Sequence, residues 1–223
     1  MRFSSGSEVL DSLLGGGFDT GVLNTIYGPA ASGKTTACML AAVECSKRGK
    51  KVIYLDTEGG FSTERLKQLT PDYQKVLESI FFLKIGSFEE QIKKFGLLGE
   101  LAKNPKIGLI VVDTIGSHYR IARREETYRQ NNNELAMQVD ILNELAKNEN
   151  LVVIMTDQVY ADVEKIDEVV PVGGEIIKKR SGCMIELRLL NGSKRYAVLM
   201  SHPIIKERKE VVFEIVKEGF RKV

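Results

Sequence analysis

Short apolar runs separated by amphipathic stretches set the rhythm of this chain. VLNTIY (Val22 to Tyr27), KVIYLD (Lys51 to Asp56), IFFLKI (Ile80 to Ile85), IGLIVVD (Ile107 to Asp113) and LVVIMT (Leu151 to Thr156) are six or seven residues long. They are strand-sized and mostly rich in β-branched side chains, so each predicts a β-strand. Between them, apolar positions recur every three or four residues. A helix is expected from Lys34 to about Lys47, another with apolar face Phe88, Ile92, Phe95 and Ala102, and a third from about Asn133 to Lys147 carrying Leu135, Val139, Leu142 and Leu145. Ser5 with Glu8, and Ser87 with Glu90, have capping-box spacing. The first precedes Val9, Leu10, Leu13 and Leu14, and Gly15-Gly16-Gly17 ends that short helix. Near the end, Asn191-Gly192 divides two strand-like runs in MIELRLLNGSKRYAVLM, which predicts an antiparallel hairpin at the sheet edge. The alternation implies an α/β fold: a mostly parallel central sheet flanked by helices, with a C-terminal antiparallel hairpin.

Composition narrows the class. With 223 residues and 43% hydrophobic content, the chain can build one sizeable core, so residues 1–223 are expected to form a single domain. Net charge is +2, from 32 basic and 30 acidic residues, so any basic surface must be local. Cys38, Cys45 and Cys183 lack C-x-x-C spacing, which argues against a zinc site or a disulfide framework and for a reducing compartment. The N-terminus lacks a signal-peptide core, and no stretch approaches the ~18 apolar residues needed to span a bilayer. A cytoplasmic protein without membrane contact is the expectation.

The densest chemistry lies in IYGPAASGKTTA. Gly28, four residues and then Gly33-Lys34-Thr35 match G-x-x-x-x-G-K-[ST], which arises by chance in about one chain in a hundred of this length. It sits between an expected strand and an expected helix, the context such a loop needs. Backbone N–H groups from Gly28, Pro29, Ala30, Ala31, Ser32, Gly33, Lys34, Thr35 and Thr36 (Pro29 having none) would curl around phosphates. Lys34 would reach the outer phosphates and Thr35 would ligate Mg²⁺. The cofactors implied are ATP and Mg²⁺.

Two acids complete the reading. Asp113 closes an apolar strand, and its carboxylate would help hold Mg²⁺ beside Thr35, although an acid can also merely cap a strand end. Glu58 follows the strand ending at Asp56, where strand carboxyl ends form the ligand crevice of an open α/β sheet. A carboxylate there could orient and deprotonate a water. Asp56 faces the same side; Glu58 is preferred because it lies further into the loop.

These segments resemble a known family. SGSEVLDSLLGGGFDTGVLNTIYGPAASGKTT is similar to the opening of the RecA-type recombinase core. VIYLDTEGGFSTERL, LIVVDTIGSHYR and VVIMTDQVYADV resemble, in the same order, its catalytic-glutamate segment, its second Walker motif with the first DNA loop, and its glutamine motif with the start of the second DNA loop. The core begins within the first ten residues, which resembles a recombinase paralogue lacking the N-terminal DNA-binding domain. The resemblance implies that Gln158 senses the nucleotide phosphate and that Arg65 packs against adenine, where a solvent-facing helix arginine fits as well. Asp157 stands where the family more often has asparagine, and Gly173-Gly174 resembles the end of the second loop. It implies a recombination accessory protein that binds ATP and DNA, single-stranded or branched, with weak ATPase activity and no strand exchange. The implied partners are the recombinase RadA, a junction-resolving nuclease and further copies of the chain.

The residues bear on DNA unevenly. Ser117 to Gln130 carries Arg120, Arg123, Arg124 and Arg129 against Glu125 and Glu126, so four minus two gives +2, interleaved with Tyr119 and Tyr128. Arginine with tyrosine suits backbone contact and base stacking, and a solvated loop of mixed charge fits the same residues. Tyr160 to Val172 holds Asp162, Glu164, Asp167 and Glu168 against Lys165, so one minus four gives −3, which repels phosphate. Lys178-Lys179-Arg180 follows, a basic run that suits compensation and equally a charged helix start or strand edge. His118 and His202 lack ligand spacing. Two other readings stand beside the accessory protein: an active strand-exchange ATPase, and a RecA-fold signalling ATPase or kinase that never meets DNA.

Overall fold

The computed structural model describes residues 2–123, 127–161 and 169–223. The chain opens with β1 (Arg2–Phe3), α1 (Glu8–Leu14), β2 (Phe18–Asp19), β3 (Leu23–Tyr27), α2 (Lys34–Lys47) and β4 (Lys51–Asp56). Next come α3 (Thr63–Leu69), α4 (Tyr73–Ser79), β5 (Ile80–Lys84), α5 (Phe88–Phe95), α6 (Leu98–Ala102) and β6 (Ile107–Asp113). Then α7 (Gly116–Ala122), α8 (Tyr128–Asn148), β7 (Val152–Asp157), β8 (Val159–Ala161), β9 (Val169–Pro171) and α9 (Glu175–Arg180) follow. The chain closes with β10 (Cys183–Leu189), β11 (Lys194–Ser201), β12 (Glu210–Val216) and β13 (Gly219–Lys222).

One nine-stranded sheet runs in the order β13-β12-β11-β10-β3-β7-β6-β4-β5. Pairings from β10 through β3, β7, β6 and β4 to β5 are parallel, whereas β10 to β13 is an antiparallel meander. The central parallel strands β3, β4, β6 and β7 are apolar along both faces because helices cover both, whereas Phe81 and Phe82 of the edge strand β5 are exposed. Leu109 and Val111 join the layer with α1 and α2, while their neighbours Ile110 and Val112 join the layer with α5 and α8. Burying each such side chain contributes about 2 kcal/mol. Parallel pairing also brings the C-terminal ends of β3, β4, β6 and β7 to one rim, where the motifs lie. Among the described residues, no helix is long and apolar enough to cross a membrane.

The α/β fold with a mainly parallel sheet and an antiparallel C-terminal hairpin is as the hydrophobic pattern implies. Several local expectations differ. The first helix begins after Ser7, not Ser5, because the Ser5 N–H and the Ser4 hydroxyl both donate to Asp11 and hold the entering chain by another route. The Ser87 cap is as read: its hydroxyl accepts from Glu90 N at 3.1 Å, and Glu90 reaches back to Gly86 N at 2.7 Å. That cap contributes about 1 kcal/mol. Its helix divides into α5 and α6 around Gly96. α8 starts at Tyr128, five residues before the expected start at Asn133. The β10–β11 hairpin carries two further strands outside it, which the sequence reading did not foresee.

Candidate active site

The phosphate loop joins β3 to α2 along the rim. Gly28 is required by close approach, since a Cβ there would lie 2.3 Å from Leu187 O on β10. Ala31 has φ 62, a left-handed conformation that costs a non-glycine residue on the order of 1 kcal/mol and persists only when its surroundings hold it. Lys34 is buried, and its ammonium donates to the Gly28 and Pro29 carbonyls, 2.8 Å each. Burial lowers its pKa, while Glu58, Asp113 and Asp157 oppose that shift. The hydroxyl of Ser32 is buried without a hydrogen-bond partner among the described residues, a polar atom left over at the heart of the cradle.

Facing the loop is a cavity of about 240 Å³ lined by Ala30, Ala31, Gly33, Lys34, Thr35, Thr36, Glu58, Thr114, Gln158 and Ile215. Asp113 ends β6 directly behind it. Thr156 and Tyr54 donate to its two oxygens at 2.5 and 3.0 Å, and Thr35 adds a side-chain hydrogen bond. Burial raises the Asp113 pKa, and those donors pull it back down. Thr35 and Asp113 are thus adjacent, as a shared divalent cation would need. Among the described residues, no cluster of three His, Cys, Asp or Glu side chains could cage a metal. An ion here would therefore depend on substrate phosphates for further ligands. The residues present fit Mg²⁺ with a nucleotide phosphate: a glycine-enabled cradle, an orphaned hydroxyl, a lysine and a hydroxyl–carboxylate pair.

Asp56 and Glu58 divide their tasks. The Asp56 carboxylate is buried and accepts four backbone N–H groups: Oδ1 from Glu58, Gly59 and Gly60 at 3.2, 2.8 and 3.1 Å, and Oδ2 from Phe61 at 3.3 Å. Its acceptor capacity is spent on bending this loop. Glu58 is carried out into the cavity, where Thr114 Oγ1 donates to Oε1 at 3.0 Å. Gln158 Nε2 lies 3.4 and 3.3 Å from the two Glu58 oxygens. Thr57 pins the same point, because its hydroxyl accepts Thr114 N and donates to Thr114 O, both at 2.8 Å. The Asp113-Thr114 peptide is cis.

Residues 1–223 match the family described as Rad51. The chain belongs to the Rad51 family. It is 36% identical over 221 residues to the DNA repair and recombination protein RadB of Methanococcoides burtonii, covering 97% of this chain and 96% of that one. The RadB of Thermococcus sibiricus is 38% identical over 224 residues, covering 99% and 95%. A solved structure titled as the crystal structure of the RadB recombinase superposes with a TM-score of 0.82 at 33% identity, covering both chains fully. Within the family, this chain stands with the RadB proteins.

Other residues singled out in the sequence are placed less centrally. Arg65 is not among the lining residues of the cavity. Its guanidinium donates to Val216 O at 2.8 Å, Lys217 O at 3.1 Å and Gln68 at 2.8 Å, fastening α3 to the β12–β13 turn. Arg120, Arg123 and Arg129 are exposed, and the Arg123 guanidinium lies 4.5 Å from the Tyr128 ring centroid. Tyr119 is buried with its hydroxyl on Asn132 at 2.5 Å, so only Tyr128 of that pair presents a ring outward. Tyr128 and Tyr160 share a second cavity of about 400 Å³ with Arg123 and Pro171. Lys178 and Lys179 are exposed, while Arg180 pairs with Asp140 at 2.9 Å. Arg124 and residues 162–168 of the acidic segment lie outside the described residues. His118 sits against Ile85 O at 3.0 Å.

Sequence reasoning missed Thr114, Tyr54, Thr156 and Ile215. Thr114 was within reach as the residue after Asp113. Ile215 carried no signal, since nothing local says that β12 folds over the phosphate loop.

Proposed function

We propose that the chain is a DNA repair and recombination accessory protein that binds ATP with Mg²⁺ through Gly28 to Thr36 and hydrolyses it slowly. Nucleotide state would change its affinity for single-stranded or branched DNA. Thr35 and Asp113 would hold the metal, which when bound neutralises phosphate charge. Glu58 would accept a proton from the attacking water at its carboxylate, with Thr114 and Gln158 orienting it. Lys34 would exchange its two carbonyl partners for phosphate oxygens. The observation that carries this reading is the contact of Gln158 with Glu58: the residue that begins the segment leading to β8 and β9 touches the group placed to activate water. Arg120, Arg123, Arg124, Arg129, Lys178, Lys179 and Arg180 would meet DNA phosphates, and Tyr128 and Tyr160 would stack on bases. The acidic composition of residues 160–172 favours modest DNA affinity and a protein without strand exchange. Work alongside RadA or a junction-resolving nuclease in the cytoplasm, as a monomer or a homo-oligomer, fits the same reading.

Fluorescence anisotropy of a labelled single-stranded oligonucleotide, titrated with protein and Mg²⁺-ATP over a salt series, tests it. A slope near −3 in log K against log salt, as for about four phosphate contacts, is expected. Absence of binding at low salt would remove DNA and favour a signalling ATPase.

A further inference from the structure

The phosphate loop has a partner that neither its motif nor the rim strands supply. Arg195 lies on β11, paired with Leu189 of β10 and Phe213 of β12. Its Nε donates to the carbonyl of Ala31 at 3.1 Å, and its Nη1 donates to Ser193 O at 2.5 Å. Ala31 is the non-glycine loop residue with positive φ, and it lines the cavity of about 240 Å³. The next N–H in that peptide, on Ser32, donates to Pro29 O at 3.3 Å. A peptide group is planar, so its two ends cannot turn independently. Held by Arg195 at the carbonyl and by Pro29 at the N–H, the Ala31–Ser32 peptide has one orientation.

Arg195 is itself anchored. The Ser193 hydroxyl donates to Glu214 Oε1 at 2.6 Å, and Arg221 of the edge strand β13 donates to Glu214 Oε2 at 2.8 Å. A chain of contacts thus runs from β13 through Glu214, Ser193 and Arg195 to the lip of the phosphate loop. Only two of the five N–H donors of the guanidinium serve Ala31 and Ser193.

We infer that Arg195 is a positioning residue for the phosphate loop, holding the Ala31–Ser32 peptide in the orientation in which the loop receives the polyphosphate of a nucleoside triphosphate. This rests on the nucleotide reading above. Its role is in affinity and not in the bond-breaking step, because its contacts are with the Ala31 and Ser193 carbonyls, not with Glu58, Thr114 or Gln158, and it is not itself a lining residue.

The test uses the full chain and Mg²⁺-ATP. Arg195→Ala is expected to weaken ATP binding about tenfold, as loss of one charged hydrogen bond implies, and to raise KM while leaving kcat within about twofold. In nucleotide-free protein, hydrogen exchange of the segment 26–37 should quicken while β4, β6 and β7 keep their protection. Arg195→Lys, which keeps the charge but not the planar fork, should recover part of the affinity, and it carries the test if the alanine variant does not fold. Unchanged ATP affinity and unchanged exchange in segment 26–37 would overturn the proposal. If the wild-type chain itself does not bind ATP, the nucleotide reading fails and the exchange measurement alone decides whether Arg195 positions the loop.

Discussion

Asp157 sits at the end of β7 with no exposure to solvent. Its Oδ1 accepts Gln158 N at 3.0 Å, the Gly116 N–H also bonds to the carboxyl, and Oδ2 has no partner among the described residues. Burial lifts its carboxyl well above the ordinary range, Glu58 pushes the same way, and the two N–H groups and Lys34 oppose. A pKa higher in the folded than in the unfolded state means the folded chain binds the extra proton. The stabilisation is fully present below the unfolded pKa near ~4 and is lost as pH rises through the folded value. Urea unfolding of wild type and Asp157→Asn at several pH values should show wild type losing up to about 1.4 kcal/mol per pH unit within that window relative to the variant. Parallel curves would mean that Asp157 is charged at all these pH values. Glu58 gives a second residue-scale prediction. Glu58→Gln keeps the Thr114 contact but cannot take a proton, so it should bind ATP normally and hydrolyse it at least ~100-fold more slowly, within the usual range for a general base. Hydrolysis at the wild-type rate would move water activation elsewhere.

At the scale of elements, turns at the ends of parallel strands make the site, and each turn is held by a residue the chemistry does not consume. Asp56→Ala would leave four N–H groups of the 58–61 turn without their acceptor. Such a change should cost about 3 kcal/mol in chemical denaturation and lower activity by misplacing Glu58. Gly116 shows the same tightness. A Cβ there would lie 2.3 Å from Asp157 Oδ1 and 2.8 Å from Val172 Cβ. Gly116→Ala should therefore destabilise by about 2 kcal/mol, and by disturbing the junction of α7, Asp157 and Val172 it should change DNA affinity more than ATP affinity. Arg65 acts between elements, since its bonds to Val216 O and Lys217 O close the meander over the loop.

For the whole molecule, two layers packed on one sheet leave the thiols deep inside. Cys38, Cys45 and Cys183 are all buried, and burial pushes the Cys45 and Cys183 thiols up to about 12. All three should resist a thiol reagent at pH 8 and react together when the sheet unfolds. Much of this architecture was legible beforehand. Five apolar runs became five of the six strands in the parallel part of the sheet; β3, β4, β6 and β7, buried on both faces, leave an unbroken apolar signature, and the spacing from Gly28 to Thr35 is local chemistry that needs no tertiary information. Glu58 was preferred over Asp56 only for lying further into the loop, since two acids on one strand face are equivalent until the backbone bends around one of them, as it does around Asp56. The outer strands β12 and β13, Ile215 in the cavity wall, Arg65 on the hairpin turn and Arg195 on the loop were not legible. The amino-acid sequence by itself determined the strand order along the chain, the phosphate loop and the acids at the strand ends, because period and spacing are properties of neighbours. Only the tertiary structure decided which carboxylate faces the cavity and which distant side chains brace it, because the contacts to Glu58 come from Thr114 and Gln158, 56 and 100 positions away, and those of Arg65 with Val216 and Arg195 with Ala31 span more than 150, through a sheet register that no local pattern encodes.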